Sequence, residues 1–350
     1  MKGNPENNIR PTRIRIVNPT PKSSQPERLI HDPKPKKQDK INLLILMLVG
    51  SIILLILHLL DVWQTLLPGI FNWKHLTLIQ AVCLLLLFIL PTIIYLLIKP
   101  QEIEKLNLKI NPITGLLSLL IGFPFAYIMA AISFIISIVL HKIGLFQNII
   151  IFGKEMQLFP INNSLYRLVF ILIICIIPAI VSEIPLRGIL LDTLLVRKRQ
   201  INAILLCAFI TGLLTFSSQE FLPYFGLGWL TSLIMLYHQS ITATILCHFS
   251  FNLTYYYLIM RVKNLNLSIL NWLTIDLERL LPIIGKVLIA TTIFVPIFVV
   301  LSHTKRINPI FDSDKIIARH SKKTDGNNTL ITFALIGLVI IFILYVTVIK

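Results

Sequence analysis

Nine runs of mostly apolar residues leave this chain few ways to fold. They fall at about 42–62, 77–98, 113–139, 165–186, 202–219, 222–238, 241–260, 281–302 and 328–349. A helix of about 20 apolar residues crosses the hydrocarbon core of a bilayer. Inside that core no water reaches the backbone, so every amide must be satisfied within the segment or within a closed barrel. With 55% hydrophobic and 14% charged residues and a mean hydropathy of +0.81, the chain is too apolar for a soluble domain of its length. The expectation is an all-α, polytopic membrane protein of about eight to nine transmembrane helices. Eight is the count if one closely spaced segment near 220–240 is re-entrant. The stretch 144–160 is apolar but short and irregular, and reads as interfacial.

Four regions follow. Residues 1–40 form a tail, 41–140 hold the amino-terminal spans, 165–260 form a polar-bearing core, and 281–350 hold the last spans with a basic loop at 303–327. The tail has ten Lys/Arg, seven Pro and four Asp/Glu and no Phe, Tyr or Trp, so it has nothing with which to build a core. It is expected to be a disordered cytosolic arm that touches anionic lipid, where each basic residue is worth about 1 kcal/mol. No base-reading motif accompanies it, so no nucleic-acid partner is expected. Its forty-residue polar lead does not fit a cleaved signal peptide, whose short charged region runs directly into the apolar stretch. Lys/Arg residues gather in 99–112, 187–201 and 303–327, and thin out in the alternate connections, which puts the amino terminus in the cytosol.

Charged side chains at the middle of membrane helices are costly, by about 2.5–3.5 kcal/mol on insertion scales, and are commonly functional. Here the polar residues concentrate between 182 and 252. Glu183 and Arg187, four residues apart, share a helix face within ion-pair reach. Pro178 and Pro185 flank them, and proline bends a helix by removing a backbone hydrogen bond. Read structurally, the pair only neutralises its own burial; read functionally, it marks a polar site. The next cluster, "TFSSQEF", centres on Ser217, Ser218, Gln219 and Glu220 and reads as the end of one helix before a Pro-Tyr turn. The third, "ATILCHFSFNLTYYY", carries His248 and Asn252, again four apart. Asn donates hydrogen bonds to a developing oxyanion, and His donates, accepts or carries a proton. Cys83, Cys175, Cys207 and Cys247 sit within apolar segments without C-x-x-C spacing, and read as structural thiols. No H-E-x-x-H is present, and His248 with two glutamates is a thin ligand set. Neither a metal nor a cofactor is expected.

Taken in order, the three clusters resemble the CPBP/Abi family of intramembrane proteases, which includes the CAAX prenyl protease type. The family's E-E-x-x-x-R appears as Ser182-Glu183-x-x-x-Arg187, followed by Gly188. Its F-x-x-x-H appears as Phe216 followed by Glu220, and its H-x-x-x-N as His248 and Asn252. The resemblance implies a bacterial multi-pass membrane protein with helices around a polar intramembrane cavity. It also implies a glutamate-type endopeptidase acting on membrane-embedded peptides or prenylated substrates. Glu183 and Arg187 keep the pairing roles of the first motif, and His248 and Asn252 the oxyanion roles. Ser182 stands where the family has its water-activating glutamate, and Glu220 where it has the partner histidine. Both departures strike the general base. Glu220 restores a carboxylate, so a rearranged site with Glu220 as base is one outcome. An inactive relative that binds, assembles or confers bacteriocin immunity is another, and a serine mechanism using Ser182 or Ser218 with His248 a third. A small-solute transporter stands outside the family, without internal repeat or inverted broken helices to support it.

Overall fold

The computed structural model describes residues 42–66, 73–142, 163–195, 199–262, 277–304 and 325–348. The expected tail at 1–40, the interfacial stretch 144–160 and residues 305–324 of the basic loop expected at 303–327 therefore lie outside the described residues. The chain divides into two units, Met1–Asp39 and Lys40–Lys350, and all that follows concerns the second. Among the described residues the regular structure is helical, with no strand. The main helices are α1 Leu43–Leu59, α2 Trp73–Ile98, α3 Pro112–Lys142, α4 Ser164–Leu195, α5 Gln200–Leu213, α6 Ser218–His238, α7 Ile241–Val262, α8 Leu277–His303 and α9 Asp325–Val348. Each of the nine apolar runs overlaps one of them, the run at about 202–219 reaching past the end of α5 to the start of α6. Five segments are long and apolar enough to cross a membrane: Trp73–Ile98, Pro112–Ile136, Ser164–Leu195, Ile284–His303 and Thr329–Thr347. The protein is an integral membrane protein.

Two apolar cores organise the bundle. One gathers α1, α2, the second half of α4, α5 and α9 around Met47, Leu87, Leu190, Ile210 and Leu338. The other gathers α3, the first half of α4, α6, α7 and α8 around Ile121, Ile174, Leu227, Phe251 and Leu301. Helix α4 runs through both, and Glu183 sits where it passes from one to the other. Large apolar side chains such as Leu97, Ile201 and Phe333 stand exposed on the outer surface, as a surface facing lipid requires.

Both ends of the bundle are tied by short polar or aromatic contacts. At one end Asn107 Nδ2 donates to the Gln239 carbonyl at 2.6 Å. There too Ile241 N–H donates to the Asn107 carbonyl at 3.0 Å, and Thr242 Oγ1 to that of Leu108 at 2.7 Å. His238 Nε2 donates to the Leu301 carbonyl at 3.0 Å, linking α6 to α8. At the other end Trp73 meets Tyr166, and Tyr345 of α9 meets both His58 and Phe216.

Prolines inside the helices are accommodated by a local widening or by a borrowed donor. In α4, wide π turns at Ile171–Ile176 and Ile184–Leu190 accompany Pro178 and Pro185, and α2 has one at Leu85–Ile89 just before Pro91. Such turns are a recognised way to absorb a missing bond in the ladder. In α6 the correction to the sequence reading is direct. Ser217 to Glu220 do not end a helix; α5 stops at Leu213, and Ser217 caps the start of α6 by accepting the Glu220 N–H at 3.3 Å. Pro223 and Tyr224 form no turn but lie inside α6. Pro223 cannot donate to the Gln219 carbonyl, and Ser133 Oγ of α3 donates to it instead at 3.0 Å.

Helices α3 and α7 approach closely at Gly122. A Cβ there would fall on Ser250 Oγ and lie 2.5 Å from the Cys247 carbonyl oxygen. Close backbone approach at small residues is the common packing device of membrane helices. Gly122→Ala is therefore expected to destabilise by about 1–3 kcal/mol through overpacking. Gly285→Ala, with nothing within 4 Å, should be neutral or stabilising by up to about 1 kcal/mol. Thermal unfolding of the detergent-solubilised protein checks both; equal midpoints would contradict this packing.

Candidate active site

The site is built from α4, α6 and α7. The Glu183 carboxylate and the Arg187 guanidinium are fully buried, with Arg187 Nε 3.2 Å from Glu183 Oε2. From α7, His248 Nδ1 lies 2.7 Å from Glu183 Oε1. Glu183 is thus held by a cation from its own helix and by an imidazole from another. The pair that sequence spacing placed on one helix face is indeed an ion pair, and His248 joins it.

An ionised carboxylate only accepts, so the proton of this hydrogen bond belongs to Nδ1. In the neutral ring the other nitrogen, Nε2, then carries a lone pair. His248 Nε2 is buried and finds no hydrogen-bond partner among the described residues. Arg187 Nη1 and Nη2 are likewise buried without one. Buried polar groups are nearly always satisfied, and leaving them bare is costly, so such atoms mark a place where chemistry or binding occurs.

Asn252 lies one turn beyond His248. Its Oδ1 accepts from Tyr224 Oη at 3.0 Å, and the Tyr224 and Tyr256 hydroxyls are 2.9 Å apart. Since Tyr224 donates to Asn252, Tyr256 donates to Tyr224. The relay turns the amide so that Nδ2 is its outward donor, and Asn252 Nδ2 is buried without a hydrogen-bond partner among the described residues. Tyr255 Oη shares that state. Thr244, His248, Asn252 and Tyr256 recur every four residues and so line one face of α7. Thr244 sits beside the Glu183 carboxylate, its hydroxyl donating to the Ile241 carbonyl at 2.8 Å.

The two departures from the motif have distinct environments. Ser182 is buried and its hydroxyl donates to the Pro178 carbonyl of its own helix at 2.7 Å. Its proton is committed to the kinked backbone rather than to His248. Glu220 is half-buried in the first turn of α6, one turn before Tyr224. Its charge acts on Tyr224, Tyr255 and Tyr256. Of the residues singled out from sequence, Glu183, Arg187 and His248 are in direct contact. Asn252 shares the His248 face and bonds Tyr224, and Glu220 stands at the tyrosine end of the same polar column. Sequence reasoning missed Tyr224, Tyr256 and Thr244. The four-residue period running through His248 and Asn252 pointed to the latter two. Nothing in the local sequence pointed to Tyr224.

The four cysteines are free, with Cys175, Cys207 and Cys247 buried. Cys207 Sγ lies 3.5 Å from the Leu186 carbonyl, inside the wide turn of α4. Among the described residues no group of three or more His, Cys, Asp or Glu side chains gathers in a way that could hold a metal ion.

Comparison with known proteins bears on this stretch of the chain. No curated protein and no solved structure matches it. One family model does, described as type II CAAX prenyl endopeptidase Rce1-like, over residues 164–254. That segment begins at the first residue of α4, ends two residues past Asn252, and takes in Glu183, Arg187, Glu220, Tyr224 and His248. The resemblance carried by the three motifs thus holds: residues 164–254 match the Rce1-like model, a type within the CPBP family.

Proposed function

We propose that the protein is an intramembrane endopeptidase that hydrolyses peptide bonds in membrane-associated or prenylated substrates. The observation that carries this reading is the buried Glu183–His248 hydrogen bond, with His248 Nε2 and, one helical turn on, Asn252 Nδ2 both buried without a hydrogen-bond partner among the described residues. Peptide hydrolysis needs a proton acceptor for water and a donor for the oxyanion. Asn252 Nδ2 is such a donor, and His248 Nε2 and the Glu220 carboxylate are the acceptors the site offers, the two nitrogens being fixed by Glu183, Tyr224 and Tyr256 on three helices. Glu183, Arg187, Glu220, His248 and Asn252 are the proposed site. Tyr224 positions Asn252, and Glu220 supplies negative charge at the tyrosine end of the column.

The helices of the site are polar because protein encloses them. Neither α6 nor α7 is among the segments apolar enough to cross a membrane by composition, yet both are of span length, with 21 and 22 residues. We read all nine main helices as crossing in alternation. In support, the connections near 107 and 239 meet at one end, and those near 73 and 163, together with the ends of α1 and α9, meet their partners at the other. The positive-inside bias makes the first of these ends cytosolic, and anionic lipid is the proposed partner of the basic residues in the amino-terminal segment.

Two predictions test these readings. Purified protein in detergent should cleave a fluorogenic, membrane-anchored peptide. Asn252→Ala should lower kcat by about 10²–10³, the usual cost of one oxyanion donor. Tyr224→Phe, which keeps the ring and loses only the hydroxyl, should lower kcat by roughly tenfold and leave KM unchanged. Silence of the unaltered protein, with cleavage by the double variant Ser182→Glu with Glu220→His, would overturn the reading and mark an intact scaffold that has lost its chemistry. For topology, a cysteine-free background carrying Thr65→Cys or Lys109→Cys is treated with a membrane-impermeant maleimide on intact cells. Thr65→Cys should react and Lys109→Cys should not. The reverse would invert the orientation, and reaction of both would remove the α2 crossing between them.

A further inference from the structure

We infer that His248, with its Nε2, is the general base of this site, and that Glu183 is its orienting partner. This rests on the endopeptidase reading and goes beyond it, because the motif resemblance gives His248 an oxyanion role and leaves Glu220 as the carboxylate nearest to a base. The geometry assigns the roles differently. A histidine whose Nδ1–H is held by a buried carboxylate is locked in one tautomer and one ring orientation, with its second nitrogen free to take a proton. Here the Nδ1 to Oε1 distance is 2.7 Å. The Tyr224 ring packs edge-on to the imidazole at 6.1 Å between centroids and further fixes its plane.

Charge balance favours the same assignment. Glu183 and Arg187 cancel, so the contacting cluster of Glu183, Arg187 and His248 is neutral when His248 is neutral. A charge formed alone in an apolar bundle is costly. Transfer of a proton from water to His248 coincides with formation of an oxyanion on the substrate. The imidazolium and the oxyanion therefore appear together, and the net charge does not change.

The step balances as follows. Water oxygen forms a bond to the scissile carbonyl carbon while its proton passes to His248 Nε2. The carbonyl π electrons move to oxygen, where Asn252 Nδ2 donates a hydrogen bond. The imidazolium then gives its proton to the amide nitrogen, the C–N bond breaks, and carboxylic acid and amine leave. Water is the only co-reactant. Ser182 takes no part, since its hydroxyl proton is bonded to the Pro178 carbonyl.

The charged and titratable groups around the Glu183–His248 pair are Arg187 from α4, Cys207 from α5, Tyr224 and, at the far end of the tyrosines, Glu220 from α6, and Cys247, Tyr255 and Tyr256 on the helix of His248. The base is identified by the low-pH limb of kcat for the full-length protein and the same membrane-anchored peptide. His248→Gln keeps a hydrogen-bonding side chain but cannot take the proton. It should lower kcat by about 10²–10⁴, hold KM within about twofold, and abolish the limb in what activity remains. Glu220→Gln, whatever it takes from the rate, should retain the limb. Should His248→Gln not fold, the unaltered enzyme decides alone. The midpoint of its limb should fall on warming, because imidazole ionisation is strongly endothermic, whereas a carboxylate midpoint stays put. A limb that ignores temperature, or one lost in Glu220→Gln and kept in His248→Gln, overturns this assignment while leaving the endopeptidase reading intact. No cleavage by the unaltered protein overturns both.

Discussion

The carboxylate of Glu183 is the group on which the interior arrangement turns. It lies where the two apolar cores meet along α4, and it is fully buried. An isolated charge there would be prohibitive, and even a buried ion pair commonly only breaks even against desolvation. Arg187 on the next turn and His248 from α7 make its presence tolerable. The arrangement also constrains both helices: removing either partner leaves the other charge stranded, the strongly destabilising case. A pair that contributes little net stability and demands such close registration is better explained by what it does than by what it holds together.

Helix α4 can present these groups because its ladder is interrupted on both sides of them. Pro178 and Pro185 each remove a donor, and the wide turns at Ile171–Ile176 and Ile184–Leu190 keep the helix continuous around the gaps. The surroundings answer with small polar side chains. Ser182 donates to the Pro178 carbonyl, Cys207 of α5 reaches the Leu186 carbonyl, and Ser133 of α3 covers the carbonyl freed by Pro223 in α6. Ser182 is instructive: where the family motif has a second glutamate, this chain has a residue that serves the backbone. The carboxylate count at the first motif is thereby reduced to one, and the imidazole of His248 becomes the natural companion of the carboxylate that remains.

Helices as blocks were legible in the sequence, because span-length apolar runs dictate them regardless of tertiary context. Their ends were less so. Ser217 to Glu220 read as the tail of one helix, since Pro223 looked like a turn. The deciding facts were a cap at Ser217 and a donor on α3, and the latter is not visible along the chain. At the site, Glu183 with Arg187 and His248 with Asn252 were found by four-residue spacing, which captures contacts within a helix. The contact between the two pairs is between helices, and no spacing rule reveals it. Tyr224 escaped for the same reason. It joins the site through the hydroxyl of Tyr256, the amide of Asn252 and the ring of His248, all on another helix.

The polarity of α6 and α7 follows from their position. A helix facing lipid must be apolar, but a helix surrounded by α3, α4, α5 and α8 need not be. The residues that lower its hydropathy, among them Thr244, His248, Asn252 and the tyrosines, are then free to face one another. Along this face they form two orientational relays, Glu183 to His248 and Tyr256 through Tyr224 to Asn252, and each ends on a buried nitrogen without a hydrogen-bond partner among the described residues. In the proposed reaction one of these nitrogens accepts a proton and the other donates a hydrogen bond. The pairing of one acceptor with one donor, held from opposite sides by rigid helices, is what a reaction that creates positive and negative charge together requires.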